Sequence, residues 1–330
     1  MITYNVNPTI NTITSTFRMR LVWLLLPLIG ILSWWLTTPS FFLPSSLLPS
    51  SLLPSSSLPS LANKTVLITD ASGGVGAELA RHLAAHHANL MLVTRTGRTE
   101  SLTNRRTVYN KEGKSNSPQS QTQISAYTWN KLVAIREEAL KLGSSKVEIM
   151  SFDYSNVEEV NTIVGVVVEK FGRLDYLVLN QEEVARGYVV KTRHGQTPDF
   201  VSRTFGVNVY SSIELTLRSL PHLEKTKGHI LLLSSLLAHV AKPGLAVLSA
   251  TQHATHGFFY SLQRELRERM SGVTLTVGQV GELEQSEKMS LFEVPSWTIG
   301  DRAECARVIV ESLVKRPCSV RYPWLQGPLV

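Results

Sequence analysis

The sequence predicts an α/β domain built on a single doubly wound parallel sheet, and three observations predict it. A Val/Leu/Ile strand runs into a small glycine-rich turn at Thr65–Gly76 (TVLITDASGGVG), and a helical pattern follows at Val75–Ala88. From there to Lys315, short apolar strands alternate with longer helical windows. Glycine lets such a turn approach a pyrophosphate, and the helix N-terminus offers free N–H groups and a partial positive charge. An ordinary strand-to-helix turn is the alternative, and the flanking pattern argues against it.

Apolar periodicity gives the elements after the turn. Further strands are predicted at Asn89–Thr94, Lys146–Phe152, Leu174–Leu179, His229–Leu233 and Val273–Val277. Helices are predicted at Trp129–Leu142, Val157–Phe171, Phe200–Leu223, Ser249–Met270 and Asp301–Lys315. Because strands alternate with helices, we expect right-handed crossovers, a parallel sheet and one domain at 62–330.

Composition narrows the function classes. The chain has 330 residues, 43% of them apolar, which is enough to bury a sizeable core. Its net charge of +7 would suit nucleic acid, but the basic residues are dispersed and not interleaved with aromatic ones, so no nucleic-acid binding is expected. Cys305 and Cys318 lack a metal-ligand spacing; they are expected to be free buried thiols, and no metal site is predicted.

The N-terminal region differs from the predicted domain. After an N-terminal tail at 1–20, the run Leu21–Leu36 (LVWLLLPLIGILSWWL) is apolar and uncharged, follows two nearby arginines and ends in two tryptophans. This arrangement is typical of a membrane span, so a transmembrane signal anchor is predicted at 21–38. A cleaved signal peptide is the alternative, although no A-x-A-like cleavage site follows the run.

Charge around the anchor predicts where the domain lies. No charged residue follows the apolar run until Lys64, so the positive-inside bias places the N-terminus in the cytoplasm. The run is short enough to suit the thin endoplasmic reticulum membrane, which predicts a single-pass protein of that membrane with a lumenal domain. A secreted or cytoplasm-facing domain is the alternative. Residues 39–61, rich in Pro, Ser and Leu, are expected to form an extended linker.

One polar stretch interrupts the alternation of strands and helices. Residues 96–127 lie between the second strand and its helix, are rich in Ser, Asn, Gln and Arg, and show no apolar periodicity. A loop of this length inside a compact domain is either functional or disordered, and its composition favours disorder.

Several motifs together resemble the short-chain dehydrogenase/reductase family. They are the glycine-rich turn, Arg95 at the end of the second strand, Asp153 after the third, the LVLN of Leu177–Asn180 after the fourth, and the stretch Leu231–Phe259. The resemblance is greatest to the membrane-anchored 11β-hydroxysteroid dehydrogenase type 1 group. It implies a Rossmann-type fold, a nicotinamide cofactor and a lumenal domain.

The resemblance also implies a set of catalytic positions. In this family a tyrosine acts as general acid/base, a lysine one helical turn on lowers its pKa, a serine stabilises the substrate, and an asparagine supports a proton-relay water. The serine falls on Ser235 and the asparagine on Asn208, and both are present. The tyrosine falls on Leu248 and the lysine on Gln252. Leucine has no proton to give and glutamine has no charge, so proton transfer has lost its usual agents.

The implied cofactor is NADP(H), held by the turn and the strand ends. The turn positions are Thr69, Asp70, Ser72, Gly74, Val75 and Gly76. Asp70 stands where the family has its first glycine, and its carboxylate is expected to repel a pyrophosphate. Arg95 stands where an acidic residue would select NAD, so it is expected to pair with a 2′-phosphate, a surface arginine being the alternative. Asp153 is implied to contact the adenine, Asn180 matches the asparagine after the fourth strand, and Gly278 is expected after the sixth strand beside the nicotinamide.

Two main functional hypotheses follow. The first is a pseudoenzyme that keeps the scaffold and binds nucleotide, lipid or a partner protein. The second is an active NADP(H)-dependent oxidoreductase on a lipophilic alcohol or carbonyl, such as a steroid or retinoid, with Ser235, a water, His253 or His256 replacing the phenol. The missing general acid/base favours the first. A purely structural membrane protein is a third reading. The expected partners are the membrane and a lipophilic small molecule, and a homodimer is left open.

Overall fold

The computed structural model describes residues 60–95, 119–184, 188, 198–235, 238–239, 241–281, 283–284 and 299–323. The predicted N-terminal tail, the predicted anchor, nearly all of the linker and most of the polar insert lie outside these residues. Within the described ranges, none of the helices combines the length and apolar character that a bilayer-spanning helix requires.

Seven parallel strands form one sheet in the order β3-β2-β1-β4-β5-β6-β7. Their bounds are β1 Thr65–Ile68, β2 Asn89–Arg95, β3 Val147–Phe152, β4 Tyr176–Leu179, β5 His229–Ser235, β6 Thr274–Val280 and β7 Ser319–Tyr322. The predicted α/β fold with a parallel sheet is therefore confirmed. Because β1 pairs with both β2 and β4, the strand order reverses between β1 and β4, and ligands of such sheets bind at that switch point.

The helices cover both faces of the sheet. Their bounds are α1 Gly74–Ala85, α2 Gln119–Leu142, α3 Val157–Phe171, α4 Pro198–Phe205, α5 Ser211–Thr226, α6 Ala246–Glu268 and α7 Arg302–Lys315. A π-helical turn at Gly206–Tyr210 joins α4 to α5. Buried side chains of α1, α2 and α7 share one core cluster, and those of α3, α5 and α6 share a second. The sheet is thus doubly wound.

Local sequence signals explain how two of these helices begin. The side chain of Asn156 accepts a hydrogen bond from the backbone of Glu158 and caps α3, and Gly172 ends that helix in a left-handed conformation. Asp301 caps α7 through the backbone N–H of Glu304. The predicted helix at Val157–Phe171 is reproduced residue for residue because both of its ends carry such signals.

The structure differs from the sequence-based expectations in three places. Helix α2 begins at Gln119, so the last part of the insert predicted at 96–127 is helical; the packing of Leu132 in the core anchors a helix whose first turns are polar. Strand β7 was not predicted, because four residues are too few for a periodic signal. Cys318 is exposed rather than buried, whereas Cys305 is buried as expected.

Candidate functional site

The glycine-rich turn brings β1 and the start of α1 close together. Gly74 has a φ of +56°, a left-handed backbone that favours glycine. A Cβ on Gly76 would lie 2.5 Å from the carbonyl oxygen of Asp70 and 2.8 Å from Nδ2 of Asn180. Only glycine permits that approach. Ser72 Oγ accepts a hydrogen bond from Thr94 on β2 at 2.8 Å, and Val75 packs against the core.

Asp70, at the position of the family's first glycine, has a left-handed backbone. Its φ is +50°, which aspartate tolerates better than most residues. Its backbone N–H donates to Oη of Tyr154 at 3.2 Å, and its carbonyl accepts from Nδ2 of Asn180 at 3.1 Å. The carboxylate points toward the end of β2, where Oδ2 meets Nη2 of Arg95 at 3.1 Å. Backbone and side chain are therefore both fixed.

Arg95 is enclosed by acceptors from two other strand ends. Besides Asp70, its Nη1 donates to Oε2 of Glu183 at 2.8 Å, and its Nη2 donates to the carbonyl of Glu182 at 3.0 Å. The Arg95 side chain is 19% exposed and that of Glu183 only 5%. Burial alone would lower the pKa of Arg95, but the carboxylates of Asp70 and Glu183 outweigh it and raise the pKa. The guanidinium is thus a charged group held by the chain itself.

The five residues after β4, Asn180–Val184, form what we call the β4 exit segment. The backbone N–H of Asn180 donates to Oγ1 of the buried Thr69 at 2.8 Å. Gln181 contacts that same hydroxyl through Oε1 and donates to Ser211 and Ser212 on α5. The first half of the segment is therefore fastened to β1 on one side and to α5 on the other.

The second half of the β4 exit segment contacts the implied catalytic positions. Asn208 binds the backbone of Glu183 twice: its Oδ1 accepts at 2.6 Å and its Nδ2 donates at 3.1 Å. Gln252 donates through Nε2 to Oε1 of Glu182 at 2.9 Å. Val184 packs in one apolar cluster with Leu248. The segment therefore joins Arg95, Asn208, Leu248 and Gln252 into one connected structure.

Leu248 and Gln252 lie on consecutive turns of α6 but serve different contacts. Leu248 is fully buried, with a relative exposure of 0%, and packs with Leu245 and Val247. Oε1 of Gln252 accepts from the Ser234 hydroxyl at 2.7 Å and from the backbone N–H of Ser235 at 3.4 Å. Position 252 thus links the end of β5 to the Glu182 carboxylate through an uncharged amide, where the family pattern has a cation.

His256 lies one turn beyond Gln252 and is buried. Its Nε2 is 2.7 Å from the Ser234 hydroxyl, which itself donates to Gln252, so Nε2 carries the proton and donates to Ser234. Burial, followed by the nearby His239 and His253, lowers the pKa of His256 to about 4, so the ring is neutral at pH 7. His253 is exposed, and its Nδ1 meets the Ser249 carbonyl on its own helix at 2.8 Å.

Two predicted cofactor residues lie apart from this connected structure. Oδ1 of Asp153 accepts from the backbone and hydroxyl of Ser155 at 2.9 and 2.6 Å, so its described contacts form a local turn after β3. Gly278 lies inside β6, paired with Leu233, rather than after the strand. The prediction for Gly278 is corrected because β7 pairs alongside β6 and the strand continues to Val280.

Sequence reasoning missed the acidic residues of the β4 exit segment. Glu182 and Glu183 lie three and four residues after the end of β4, a buried strand next to β1, at the same sheet edge as Arg95. Two carboxylates at that edge could have indicated an ion pair with the arginine, because the carboxyl ends of adjacent parallel strands meet there. Tyr154 gave no comparable signal.

The arrangement can be compared with known proteins. The family model described as short chain dehydrogenase matches residues 117–290, more than half of the chain. The chain belongs to the short-chain dehydrogenase family. The match begins after the glycine-rich turn, so it covers the implied catalytic positions but not Asp70.

Several relatives in this family carry the name hydroxysteroid 11-beta-dehydrogenase 1-like protein. The chain is 27% identical to the one from Danio rerio over 270 residues, covering 80% of each chain. It is 29% identical to the one from Macaca fascicularis over 265 residues, again covering 80% of each. With the one from Homo sapiens the identity is 32% over 221 residues, covering 67% of this chain and 59% of the relative.

Solved short-chain dehydrogenases share the fold. A short chain dehydrogenase from Burkholderia cenocepacia in complex with NADP matches with a TM-score of 0.61 at 21% identity, over 79% of this chain and 97% of the other. A metagenomic short-chain oxidoreductase in complex with NADP matches with a TM-score of 0.59 at 20% identity, over 79% and 96%. Both of these neighbours were solved with NADP.

The residues present only partly fit such a dinucleotide. The glycine turn and the N-terminus of α1 suit a pyrophosphate, and Gly73 and Gly74 have open space where a Cβ would be. Around Arg95 they do not fit a 2′-phosphate, because the guanidinium is already paired with Asp70 and Glu183. The charged side chains at the end of β2 therefore do not suit a dinucleotide that carries a 2′-phosphate.

Proposed function

We propose that this chain is a short-chain dehydrogenase scaffold that has lost the usual proton transfer and acts as a pseudoenzyme. One observation carries the proposal: Leu248, which occupies the acid/base position, is fully buried in an apolar cluster with Val184 and Leu245. A general acid/base contributes a factor of about 10² to 10⁴ to such a reaction, and a leucine side chain contributes none of it.

The contacts of Gln252 support the same proposal. At the position of the activating lysine stands a neutral amide that binds Ser234 and Glu182. A phenol placed at position 248 would therefore face no cation to stabilise its phenolate. Proton transfer has lost both the group that moves the proton and the group that adjusts its pKa.

His256 does not supply a substitute acid in this arrangement. His256 has its pKa lowered to about 4, first by burial, and its Nε2–H is committed to Ser234. A neutral imidazole whose one proton already serves a structural hydrogen bond is a poor general acid at pH 7. This supports the pseudoenzyme over an active oxidoreductase that uses His256.

The proposal includes where the scaffold works. Residues 21–38 anchor it in the endoplasmic reticulum membrane with its domain in the lumen, and its partner is a lipophilic ligand or a protein at that membrane. The apolar run of the sequence supports the anchor, and the hydroxysteroid in the relatives' name supports a lipophilic ligand. A glycosylation tag placed after Val330 of the full-length chain tests the orientation. It becomes glycosidase-sensitive if the domain is lumenal, and stays unmodified and protease-accessible if the domain faces the cytoplasm.

The catalytic part of the proposal is tested in a variant that has the family's glycine in the turn, so that weak nucleotide binding is not expected to limit turnover. The full-length Asp70→Gly variant is assayed with NADPH and a panel of lipophilic ketones, with and without Leu248→Tyr and Gln252→Lys. Turnover is expected at background in Asp70→Gly and above background only when both catalytic positions are also changed. Turnover in the unaltered chain that disappears with Ser235→Ala would contradict the proposal.

A further inference from the structure

We propose that Asp70, Arg95 and Glu183 form an internal ion-pair lock that takes up the cation needed for a 2′-phosphate, so that the unaltered chain excludes NADP(H). The lock stands on residues other than Leu248 and Gln252. Nucleotide exclusion and loss of proton transfer can therefore fail separately.

The lock uses the donors of Arg95 that would serve a phosphate. Nη1 binds Glu183 at 2.8 Å, while Nη2 binds Asp70 at 3.1 Å and the carbonyl of Glu182 at 3.0 Å. Arginine recognises a phosphate by presenting paired N–H groups in a fixed plane. Here both terminal nitrogens of that plane already face acceptors of this chain.

The backbone around the lock is fixed independently of the ion pairs. Tyr154 and Asn180 hold the N–H and the carbonyl of Asp70, and Asn208 holds both backbone groups of Glu183. Both carboxylates are therefore positioned before Arg95 reaches them. A competing phosphate would have to displace carboxylates that lose little freedom in binding, which weakens its competition.

The local charge opposes an anionic ligand even if Arg95 were released. The carboxylates of Asp70 and Glu183 both contact the one guanidinium, and the lysine expected at position 252 is a glutamine. Like charges repel most strongly where water is scarce, and the Glu183 side chain is 5% exposed. A dinucleotide phosphate that approaches Arg95 therefore comes close to two carboxylates.

The test is a titration of the full-length chain with NADPH and, in parallel, with NADH, followed by protein fluorescence. The unaltered chain is expected to bind neither at concentrations at which related dehydrogenases are saturated. Asp70→Asn keeps an αL-tolerant residue and removes the charge, and Asp70→Gly restores the family residue. Both are expected to raise NADPH affinity by about ten- to a hundredfold, with a smaller gain for NADH.

Two further variants separate the lock from a general charge effect. Glu183→Gln is expected to raise NADPH affinity in the same direction, whereas Glu158→Gln, at an exposed position on α3, leaves it unchanged. Adding Arg95→Ala to Asp70→Gly is expected to erase the preference for NADPH over NADH. Thermal melting of each variant shows that it is folded, and Glu183→Gln carries the test if a change at Asp70 prevents folding.

Several outcomes would overturn the lock. One is tight NADPH binding by the unaltered chain. Another is a folded Asp70→Asn or Glu183→Gln variant that binds NADPH no better than the unaltered chain. A gain that is equal for NADPH and NADH would show that Arg95 does not read the 2′-phosphate, which removes the basis of the proposal.

Discussion

Ligands of doubly wound sheets bind in a crevice outside the carboxyl ends of the strands. In this region the nucleotide half and the catalytic half depart from the family pattern in opposite ways. In the nucleotide half a neutral glycine position has become Asp70, and the added charge is bound by Arg95, which the family pattern already places there. In the catalytic half the positions implied for the family's tyrosine and lysine hold Leu248 and Gln252, whose contacts are apolar packing and the hydrogen bonds of an uncharged amide. The first change adds an ion pair, whereas the second replaces an ionisable pair with two groups that carry no charge.

The β4 exit segment explains why the two changes belong together. It carries Glu183 to Arg95 in the nucleotide half, and Glu182 and Val184 to Gln252 and Leu248 in the catalytic half. A segment held at both ends gains more from each contact because the other contact has already ordered it. The β4 exit segment therefore occupies, with contacts inside the chain, the side chains at positions that the family pattern assigns to cofactor binding and catalysis.

The largest effect is expected from removing the centre of the lock. Arg95→Ala leaves Asp70 and the nearly buried Glu183 without their counterion, so we expect the free energy of unfolding to fall by about 2–4 kcal/mol. Urea unfolding measures it. Arg218→Ala, which breaks an exposed i,i+4 pair with Glu214, is the matched control and should cost about 0.5 kcal/mol or less. Equal losses in the two variants would show that the lock is an ordinary surface pair.

Restoring the family residue in the catalytic half should destabilise the fold. Leu248 has no exposed surface, so Leu248→Tyr must force a larger, polar side chain into the cluster around Val184, at a cost of about 1–3 kcal/mol. Leu217→Tyr, at a 49% exposed position on α5, should change stability by less than about 0.5 kcal/mol. If the first variant unfolds at the same urea concentration as the unaltered chain, space for a phenol already exists beside the crevice.

Acid sensitivity should identify His256 as a structural residue. Its pKa in the folded chain is about 4, so below about pH 6.5 the unfolded chain takes up a proton that the folded chain does not. The stability that the neutral ring provides is present above pH 6.5, decreases as the pH falls, and is lost by about pH 4. In the His256→Asn variant the melting temperature should fall less between pH 7 and pH 4.5 than it does in the unaltered chain. An unchanged slope would contradict the neutral, Ser234-bound ring.

The smallest effect concerns the backbone at Asp70. Because its φ is +50°, a glycine there is relaxed and an alanine is strained, so Asp70→Gly should be more stable than Asp70→Ala by about 1 kcal/mol. Both variants lose the same ion pair, so their difference isolates the backbone. Equal unfolding midpoints would mean that the turn relaxes when the carboxylate leaves.

The sequence predicted the sheet more fully than the site. Strands such as β2 and helices such as α3 carry strong periodicity and capping signals, and they fell within a residue or two of their predicted bounds. β7 was missed because its four residues alternate only twice and depend on pairing with β6. Tertiary pairing, not local preference, makes it a strand.

Within the site, the sequence predicted positions but not partners. The substitutions at 70, 248 and 252 could be read from the motif, and so could the left-handed tendency of an aspartate. That the Asp70 carboxylate turns toward Arg95, and that Glu183 joins it, depends on how β1, β2 and β4 align in space. The sequence alone therefore suggested an NADP-selective arginine, where the structure has an arginine held by this chain's carboxylates.

The claim that the β4 exit segment is ordered by the chain's own contacts is tested most directly by hydrogen exchange. The exchange is measured at this segment in the full-length chain, with and without NADPH. Backbone N–H groups of Asn180 and Glu183 donate to Thr69 and Asn208, so they should exchange slowly without any nucleotide. NADPH at a concentration that saturates related dehydrogenases should leave their rates unchanged, because the chain already fills its own contacts. Fast exchange that becomes slow only when NADPH is added would contradict the account and identify the crevice as a working nucleotide site.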